Sequence, residues 1–500
     1  MMNKIYLSKS KYCKLVQCPK ILWMSKYKSD VAVPTAREAV LANGTVVGEL
    51  ARNLFGKYTN IEFNTDLNVM IEDTKKMLKN KPNIITEASF NYDNNFCSVD
   101  ILKNNLDGVE IYEVKSSTNV HNIYLDDASY QYFVLSNLGL NVKKVCIVYI
   151  NKQYVRGKEL EIEKLFNIQD ITDIAKAKQD EIKKNIEMAN KYMDEHNENS
   201  EPSTDIGMQC CKPYKCEFWE YCTRNLPKPN VFDIVGGMHT SKKFEKYYEG
   251  KISFRDLQNE DLNPKFLEQI NFELNNLKPK IEKESIKELM DSLKYPLYFI
   301  DFETYQLAIP EVEGTKPYQQ LPFQYSLHII KEKGAPIEHK EFLAEIDDLD
   351  YIRHFAESMI KDMPENGSVI IYNKAFEPVR NNEIARMYPD LKDELDRINS
   401  NIVDFMEPFQ QRKYYVKEMH GSASIKAVLP ALYPNDPELD YHNLPIVHNG
   451  GEASEAFLSL RNKSKEEQKE IRHGLLVYCE LDTYAMVKLW EKFKEIVEGS

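Results

Sequence analysis

The sequence predicts an α/β protein of two domains joined by a helical segment, and three observations lead there. The chain has 500 residues, more than one hydrophobic core organises. Short apolar runs of strand length, such as Val145–Ile150 and Leu297–Ile300, alternate with stretches of helical period on both sides of the middle. Between them, residues 226–290 are rich in Lys, Glu, Asn and Leu and carry few strand signals. The predicted domains are therefore 1–225 and 291–500, with 226–290 as a helical linker. A hydrophobic content of 42% with 29% charged residues is globular usage and excludes wholesale disorder. No apolar run approaches the roughly 18–20 residues of a membrane span. The start, MMNKIYLSKSKYCK, is basic but has no apolar stretch behind it. A cytoplasmic protein with no membrane partner is expected. The net charge of −13 gives no general attraction for nucleic acid, although a nuclease collects carboxylates for its metals and confines its basic surface locally.

In chain order, NGTVVGELARNLF reads as a helix carrying Glu49 behind Gly44 and Gly48. Residues 84–117 read as strands. Glu87 lies on the first, and Asp100 lies inside an apolar strand beside Val99, Ile101 and Leu102. After a turn at Asp107–Gly108, Glu113 and Lys115 stand two apart and share one strand face, with Val114 pointing into the core. The apolar helix DDASYQYFVLSNLG follows and carries Gln131. Residues 171–193 form a charged surface helix, and the acidic stretch 192–205 a solvated loop. An Asp, a Glu and a Lys on adjoining strands suit metal-dependent hydrolysis. The carboxylates hold Mg²⁺ or Mn²⁺, and the lysine orients a water or stabilises developing charge. The competing reading of Glu-x-Lys is a cross-strand ion pair.

Nine cysteines are too few for a disulfide scaffold. Cys210, Cys211, Cys216 and Cys222 fall within thirteen residues, and Cys13 and Cys18 lie near the start. In a cytoplasmic chain such clusters point to metal or redox chemistry. The close CxxC pairs of a zinc ribbon are absent. Cys97, Cys146 and Cys479 sit in apolar patterns and read as buried thiols.

The segment LKYPLYFIDFETYQ is an apolar strand ending in Asp301 and Glu303, which share a face and can reach one or two metal ions. Further on, SVIIYNKAFEPVRNNEIA is a strand and helix with Asn373 and Glu377, and NIVDFMEPF carries Asp404. The stretch HGSASIKAVLPALYP holds Ser422, Ser424 and Lys426, the last a phosphate contact or a solvated helix end. In HGLLVYCELDTYAMVKLW, Tyr478 and Asp482 are four apart and stack on one helix face.

Over residues 40–140 the order Glu49, Asp100, Glu113-Val114-Lys115, Gln131 resembles the RecB-like branch of the PD-(D/E)xK nucleases. That resemblance implies a restriction-endonuclease-like fold in which Asp100, Glu113 and Glu49 bind metal, Lys115 completes the site and Gln131 lies close by. One early cysteine followed by Cys211-x4-Cys216-x5-Cys222 is similar to the iron–sulfur RecB-like nucleases, including the CRISPR-associated and AddB-type enzymes. It implies a [4Fe–4S] cluster on Cys18, Cys211, Cys216 and Cys222 that staples the domain ends together, with Cys210 as an alternative to Cys211 and zinc as an alternative metal.

The C-terminal pattern resembles the DEDD exonucleases of RNase H-like fold that end in Tyr-x-x-x-Asp. The resemblance implies metal binding by Asp301, Glu303 and Asp482 and a water-orienting Tyr478. The family's second motif places an Asp where this chain has Glu377, so Glu377 or Asp404 would supply that carboxylate. The whole order is similar to a bacterial family catalogued as a domain of unknown function. Together these resemblances imply an Mg²⁺- or Mn²⁺-dependent nuclease with a 3′→5′ exonuclease site and a RecB-like site. DNA is favoured over RNA, in repair, recombination or defence, with a helicase as a possible partner. The alternative is one active exonuclease with the N-terminal domain as a nucleic-acid-binding module.

Overall fold

The computed structural model describes residues 5–34 and 38–499, the side chains of 38–42 excepted. The outermost residues of the two predicted domains, 1–4 and 500, lie outside the described residues. The chain is mixed α/β and divides into two units. One is Met1–Asn225 with Leu307–Tyr318, and the other is Leu226–Gln306 with Gln319–Ser500. Among the described residues, no helix is long and apolar enough to cross a membrane.

The first unit opens with β1 (Leu7–Ser8), α1 (Lys9–Gln17) and α2 (Pro19–Tyr27). Ser8 caps α1 by accepting from the Lys11 N–H. Pro19 cannot continue α1 but suits the first turn of α2, so Cys18 is left extended at the corner between them. Then come α3 (Glu38–Ala51), β2 (Thr59–Asn60), α4 (Leu67–Met77), β3 (Asn83–Tyr92), β4 (Asn95–Asn104), β5 (Val109–Lys115), α5 (Asn122–Asn137), β6 (Val142–Ile150), β7 (Phe166–Asp170) and α6 (Gln179–Glu195). The sheet order is β2-β3-β4-β5-β6-β7, with β1 paired in parallel to the start of β4. Strands β3, β4 and β5 are antiparallel, while β5 and β6 are parallel around the α5 crossover.

The alternation along these strands feeds two cores. Leu102, Ile111, Val145 and Ile147 face one way with Ala128, Tyr130 and Val134 of α5. Ile101, Tyr112, Cys146 and Val148 face the other way with Val47 and Ala51 of α3. Ala308 joins this second core. The Tyr318 hydroxyl donates to the Ser116 carbonyl, and Arg156 exchanges backbone hydrogen bonds with Thr315 and Gly314. The segment 307–318 therefore completes the first unit, although it connects two strands of the second.

The second unit contains α7 (Pro264–Asn275), β8 (Lys280–Ile281), β9 (Leu297–Tyr305), β10 (Leu321–Ile330), β11 (Glu338–Leu343), β12 (Ser368–Ile371), α8 (Glu377–Met387), β13 (Ile402–Asp404), β14 (Tyr414–Tyr415), α9 (Gly450–Ser459) and α10 (Lys465–Glu498). Its main sheet runs β11-β10-β9-β12-β13. The first three strands are antiparallel, and β12 and β13 run parallel to β9. The long α10 is started by a capping box between Ser464 and Glu467. Its Met486, Val487, Leu489 and Phe493 pack on Leu297, Phe299 and Ile370. Each such buried side chain contributes about 1.5–3 kcal/mol of transfer free energy. Residues 226–290 are part of this unit rather than a linker, since Phe272 and Ile286 lie in the same core. Their amphipathic helices bury one face, and composition alone does not say against what.

Candidate functional site

In the first unit, register sets the acids side by side. Ile101 pairs with Tyr112, so the next position places Asp100 opposite Glu113. On the other side, Thr86 pairs with Ile101 and Ala88 with Val99, which brackets Glu87 opposite Asp100. Glu87 has φ 58° in the middle of a strand, a strained conformation for a residue with a side chain. Its carboxylate accepts from Arg52 at 3.0 Å. Glu49, Glu87, Asp100, Glu113, Lys9 and Arg52 line one cavity of about 430 Å³.

The side chains here are tied to one another. Lys115 donates to Glu113 at 2.7 Å and to Asp127 at 2.6 Å. Gln131 donates to Glu113 at 2.7 Å, and its Oε1 is buried without a partner. The Val114 N–H donates to Asp100 at 2.7 Å. Lys9 of α1 lies among the acids, with Nζ 3.0 and 3.2 Å from the Glu113 oxygens and 3.4 Å from Asp100. Burial alone would lower the Lys9 pKa, but Asp100, Glu113 and Asp127 outweigh it and hold the ammonium well above its ordinary value. Lys115 behaves in the same way beside Asp127 and Glu113. The predicted Asp100, Glu113, Lys115 and Gln131 come together, and Glu49 stands on the rim of the same cavity.

The thiols converge from both ends of this unit. Cys18, Cys210, Cys216 and Cys222 line one pocket with Ile21, Met24 and Phe218. The Cys216 N–H donates to the Cys210 carbonyl at 2.8 Å, which folds the loop back on itself. Burial pushes the Cys210 thiol up to about 12, and the neighbouring Cys216, Cys18 and Cys222 add to it. Cys210 lines this pocket with Cys18, Cys216 and Cys222, and the expected ligand Cys211 is its half-buried neighbour in the chain. Cys13 is elsewhere, its thiol pushed up by burial and then by Asp127. Four sulfurs around an apolar pocket form a soft donor set suited to iron–sulfur or zinc.

The second unit assembles its acids on the central strand and the last helix. Carboxylate oxygens of Asp301 and Glu303 on β9 and of Asp482 on α10 lie within 4.8 Å of one another. Tyr478 is 3% and Asp482 8% exposed, so this pair is buried at the sheet rather than on the surface. Burial pushes Asp301 and Glu303 well above the usual carboxylate range, and their acidic neighbours, Asp482 first, push further. Burial lifts Asp482 to about 6 against hydrogen bonds from Tyr441 and Tyr478. The Tyr441 hydroxyl donates to Asp482 at 2.6 Å. Lys426 donates to the Tyr478 hydroxyl at 3.2 Å and to the His448 carbonyl at 2.9 Å.

Glu377 opens α8 and is 3% exposed. Burial lifts it to about 8, and its Oε2 is buried with no hydrogen-bond partner. It lies close enough to raise Asp301 and Glu303. Asp404 is different. One oxygen accepts from the Asn373 and Met406 N–H groups and the other from Lys374, all at 2.9 Å. It clamps the turn in which Asn373 takes φ 93°. Asp404 thus serves the turn, while Glu377 keeps one oxygen with no partner. An orphaned carboxylate oxygen beside three converging acids fits a hard divalent cation, which prefers oxygen donors.

Several of these residues escaped the sequence patterns. Lys9 and Tyr441 reach their partners from 104 and 41 positions away, a separation no periodicity encodes. Asp127 stood within reach, four residues before Gln131 on the same helix face.

Comparison with known proteins adds little chemistry. The chain is 26% identical over 304 residues to an uncharacterized protein, UU173, of Ureaplasma parvum serovar 3, covering 56% of this chain and 43% of that one. It is 26% identical over 218 residues to an uncharacterized protein, MG366, of Mycoplasma genitalium, covering 41% and 32%. A homolog of the latter in Mycoplasma pneumoniae is 24% identical over 228 residues, covering 42% and 34%. The chain thus spans less than half the length of these relatives. No solved structure matches. Residues 298–424 match the family described as domain of unknown function (DUF2779), a stretch that takes in Asp301, Glu303, Glu377 and Lys374 but ends before Lys426, Tyr478 and Asp482.

Proposed function

We propose that this protein is a divalent-metal-dependent nuclease whose principal site is in the second unit. The observation that carries the reading is the convergence of Asp301, Glu303 and Asp482 with Glu377 alongside, its buried Oε2 without a hydrogen-bond partner. Glu303, Glu377 and Asp482 are buried and Asp301 half-buried, with Lys426 the cation beside Asp301, Glu303 and Asp482 and Arg380 beside Glu377. Mg²⁺ or Mn²⁺ held by these carboxylates would supply charge for phosphodiester hydrolysis. The chain's own groups do the rest. Tyr478, with burial raising its pKa and Lys426 donating to its hydroxyl, keeps its proton and orients the attacking water. Lys426 faces developing negative charge. Tyr441 fixes the Asp482 carboxylate. A sheet with Asp301 and Glu303 on its central strand and Tyr478 and Asp482 on the helix across it supports the RNase H-like, 3′→5′ exonuclease reading, with DNA the favoured substrate and repair, recombination or defence the setting.

The first unit supports a RecB-like site of Asp100, Glu113, Lys115 and Gln131, with the four thiols holding a [4Fe–4S] cluster. Lys9 among those acids favours the second reading, in which this unit grips nucleic acid and presents ends. The test is 5′-labelled single-stranded DNA with Mn²⁺ and anaerobically purified protein, beside Asp301→Ala and Asp100→Ala. A ladder shortening from the 3′ end, lost in Asp301→Ala and kept in Asp100→Ala, is the expected result. No degradation of DNA or RNA under either metal overturns it. For the cluster, Cys210→Ser should lose iron and visible absorbance while Cys211→Ser keeps both.

A further inference from the structure

We propose a second, separate metal site in the second unit, a two-histidine, one-glutamate site for a borderline cation such as Zn²⁺, formed by His328, His339 and Glu480. One ring nitrogen of each imidazole and a carboxylate oxygen of Glu480 lie within 4.8 Å of one another. The residues come from β10, β11 and α10. His328 and His339 are direct cross-strand partners, with ring centroids 4.6 Å apart.

The hydrogen bonds sort the nitrogens. Ser326 Oγ engages Nε2 of His339 at 2.9 Å, and Thr483 Oγ1 engages Nδ1 of His328 at 2.8 Å. The two hydroxyls bond each other at 2.7 Å. This leaves Nδ1 of His339, 3.8 Å from Glu480 Oε1, and Nε2 of His328. A metal-ligating histidine ordinarily has its second nitrogen held by a neighbouring polar group, which fixes tautomer and ring orientation. Both imidazoles already have that support. Zinc–nitrogen bonds of about 2.0–2.1 Å place tetrahedral ligands roughly 3.4 Å apart, so closure needs only small side-chain movement. His328 is 5% exposed, so its ring is held within the packed face between β10 and α10.

The chemistry differs from that of the neighbouring acids. Oxygen-only donors suit Mg²⁺ and Mn²⁺, whereas imidazole with one carboxylate suits Zn²⁺ or Co²⁺. Glu480 and Asp482 sit on the same helix, so a cation here would pin α10, with Tyr478 and Asp482, to the β10–β11 hairpin. It acts on positioning and takes no part in the reaction.

The test is Co²⁺ binding to the full chain in excess Mg²⁺, measured as metal per chain and as visible absorption. Wild type should bind one more Co²⁺ than His339→Asn or Glu480→Gln. The difference spectrum should show d–d bands without sulfur-to-cobalt charge transfer, which separates this site from the thiols. His339 and Glu480 side chains are 25% and 48% exposed, so these variants should fold as wild type does, checked by circular dichroism. Thr483→Val should weaken the same binding about 10- to 100-fold. Equal stoichiometry in wild type and both variants, or a difference spectrum dominated by sulfur charge transfer, overturns the proposal.

Discussion

The two carboxylate clusters meet the same electrostatic problem in opposite ways. In the first unit, Asp100, Glu113 and Asp127 are interleaved with the ammonium groups of Lys9 and Lys115 at 2.6–3.4 Å. In the second, Asp301, Glu303, Asp482 and Glu377 crowd together, and the cations beside them, Lys426 and Arg380, only partly offset burial and mutual repulsion. Removing like charges from water is unfavourable unless something neutralises them. The first cluster carries its counter-charge within the chain. The second takes up protons, which is why its acids titrate high, or takes up cations. A cluster with its own lysines is stable without metal. A cluster that its own cations only partly neutralise is where a metal changes the protein most.

The sharpest way to break this contrast is at the second site. Asp301→Asn should reduce Mn²⁺-dependent degradation about 100- to 1,000-fold or more, measured by initial rates on labelled DNA, while Asp100→Asn leaves that rate within a few-fold. Tyr478→Phe should cost about 100-fold through the lost hydroxyl, read as a fall in kcat with little change in KM. At the first site, Lys9→Met should destabilise the metal-free protein. A fully buried broken pair costs about 3–5 kcal/mol, but the Lys9 side chain is 23% exposed, so about 2 kcal/mol is expected. Thermal melting should then show Mn²⁺ restoring what the lysine supplied. No rescue would mean that Lys9 does not occupy a cation position.

The smallest effect is a pH dependence. Asp482 is lifted to about 6 and Glu377 to about 8. Both are raised above their unfolded values, so the stability they contribute is full below about pH 4 and is lost as pH rises through 6 and then 8. Mn²⁺ bound at the proposed site would substitute for the departing protons. Its stabilisation in Tm should therefore be small at pH 5, grow toward pH 8, and flatten above pH 6 in Glu377→Gln. A Mn²⁺ effect that shrinks with rising pH would assign it to another site.

Much of this was legible in sequence where local patterns carry it. An apolar strand ending in Asp301 and Glu303 announces itself by alternation, as do Glu113 and Lys115. Tyr478 and Asp482 follow from helical spacing. The thiol cluster was legible as a spacing, but which of the adjacent Cys210 and Cys211 faces the pocket depends on the fold of the loop, which places Cys210 there. Lys9, Tyr441 and the role of Asp404 depend on tertiary contacts, and the clamp on Asn373 is invisible without its positive φ. The segment 226–290 reads as a linker because composition does not reveal that Val231, Ile234, Phe254, Leu257 and Ile270 form a core of their own, or that Phe272 and Ile286 join one supplied by later residues.

The excursion at Leu307–Tyr318 has a genetic consequence. It places Ala308 and Thr315, each at most 1% exposed, inside a unit whose remaining residues end at Asn225. A gene cut once near residue 225 would yield a first half missing part of its own interior and a second half displaying an apolar tongue. The two units are therefore not interchangeable cassettes. Recombination at a single boundary cannot swap or delete one cleanly, and they are expected to be inherited together.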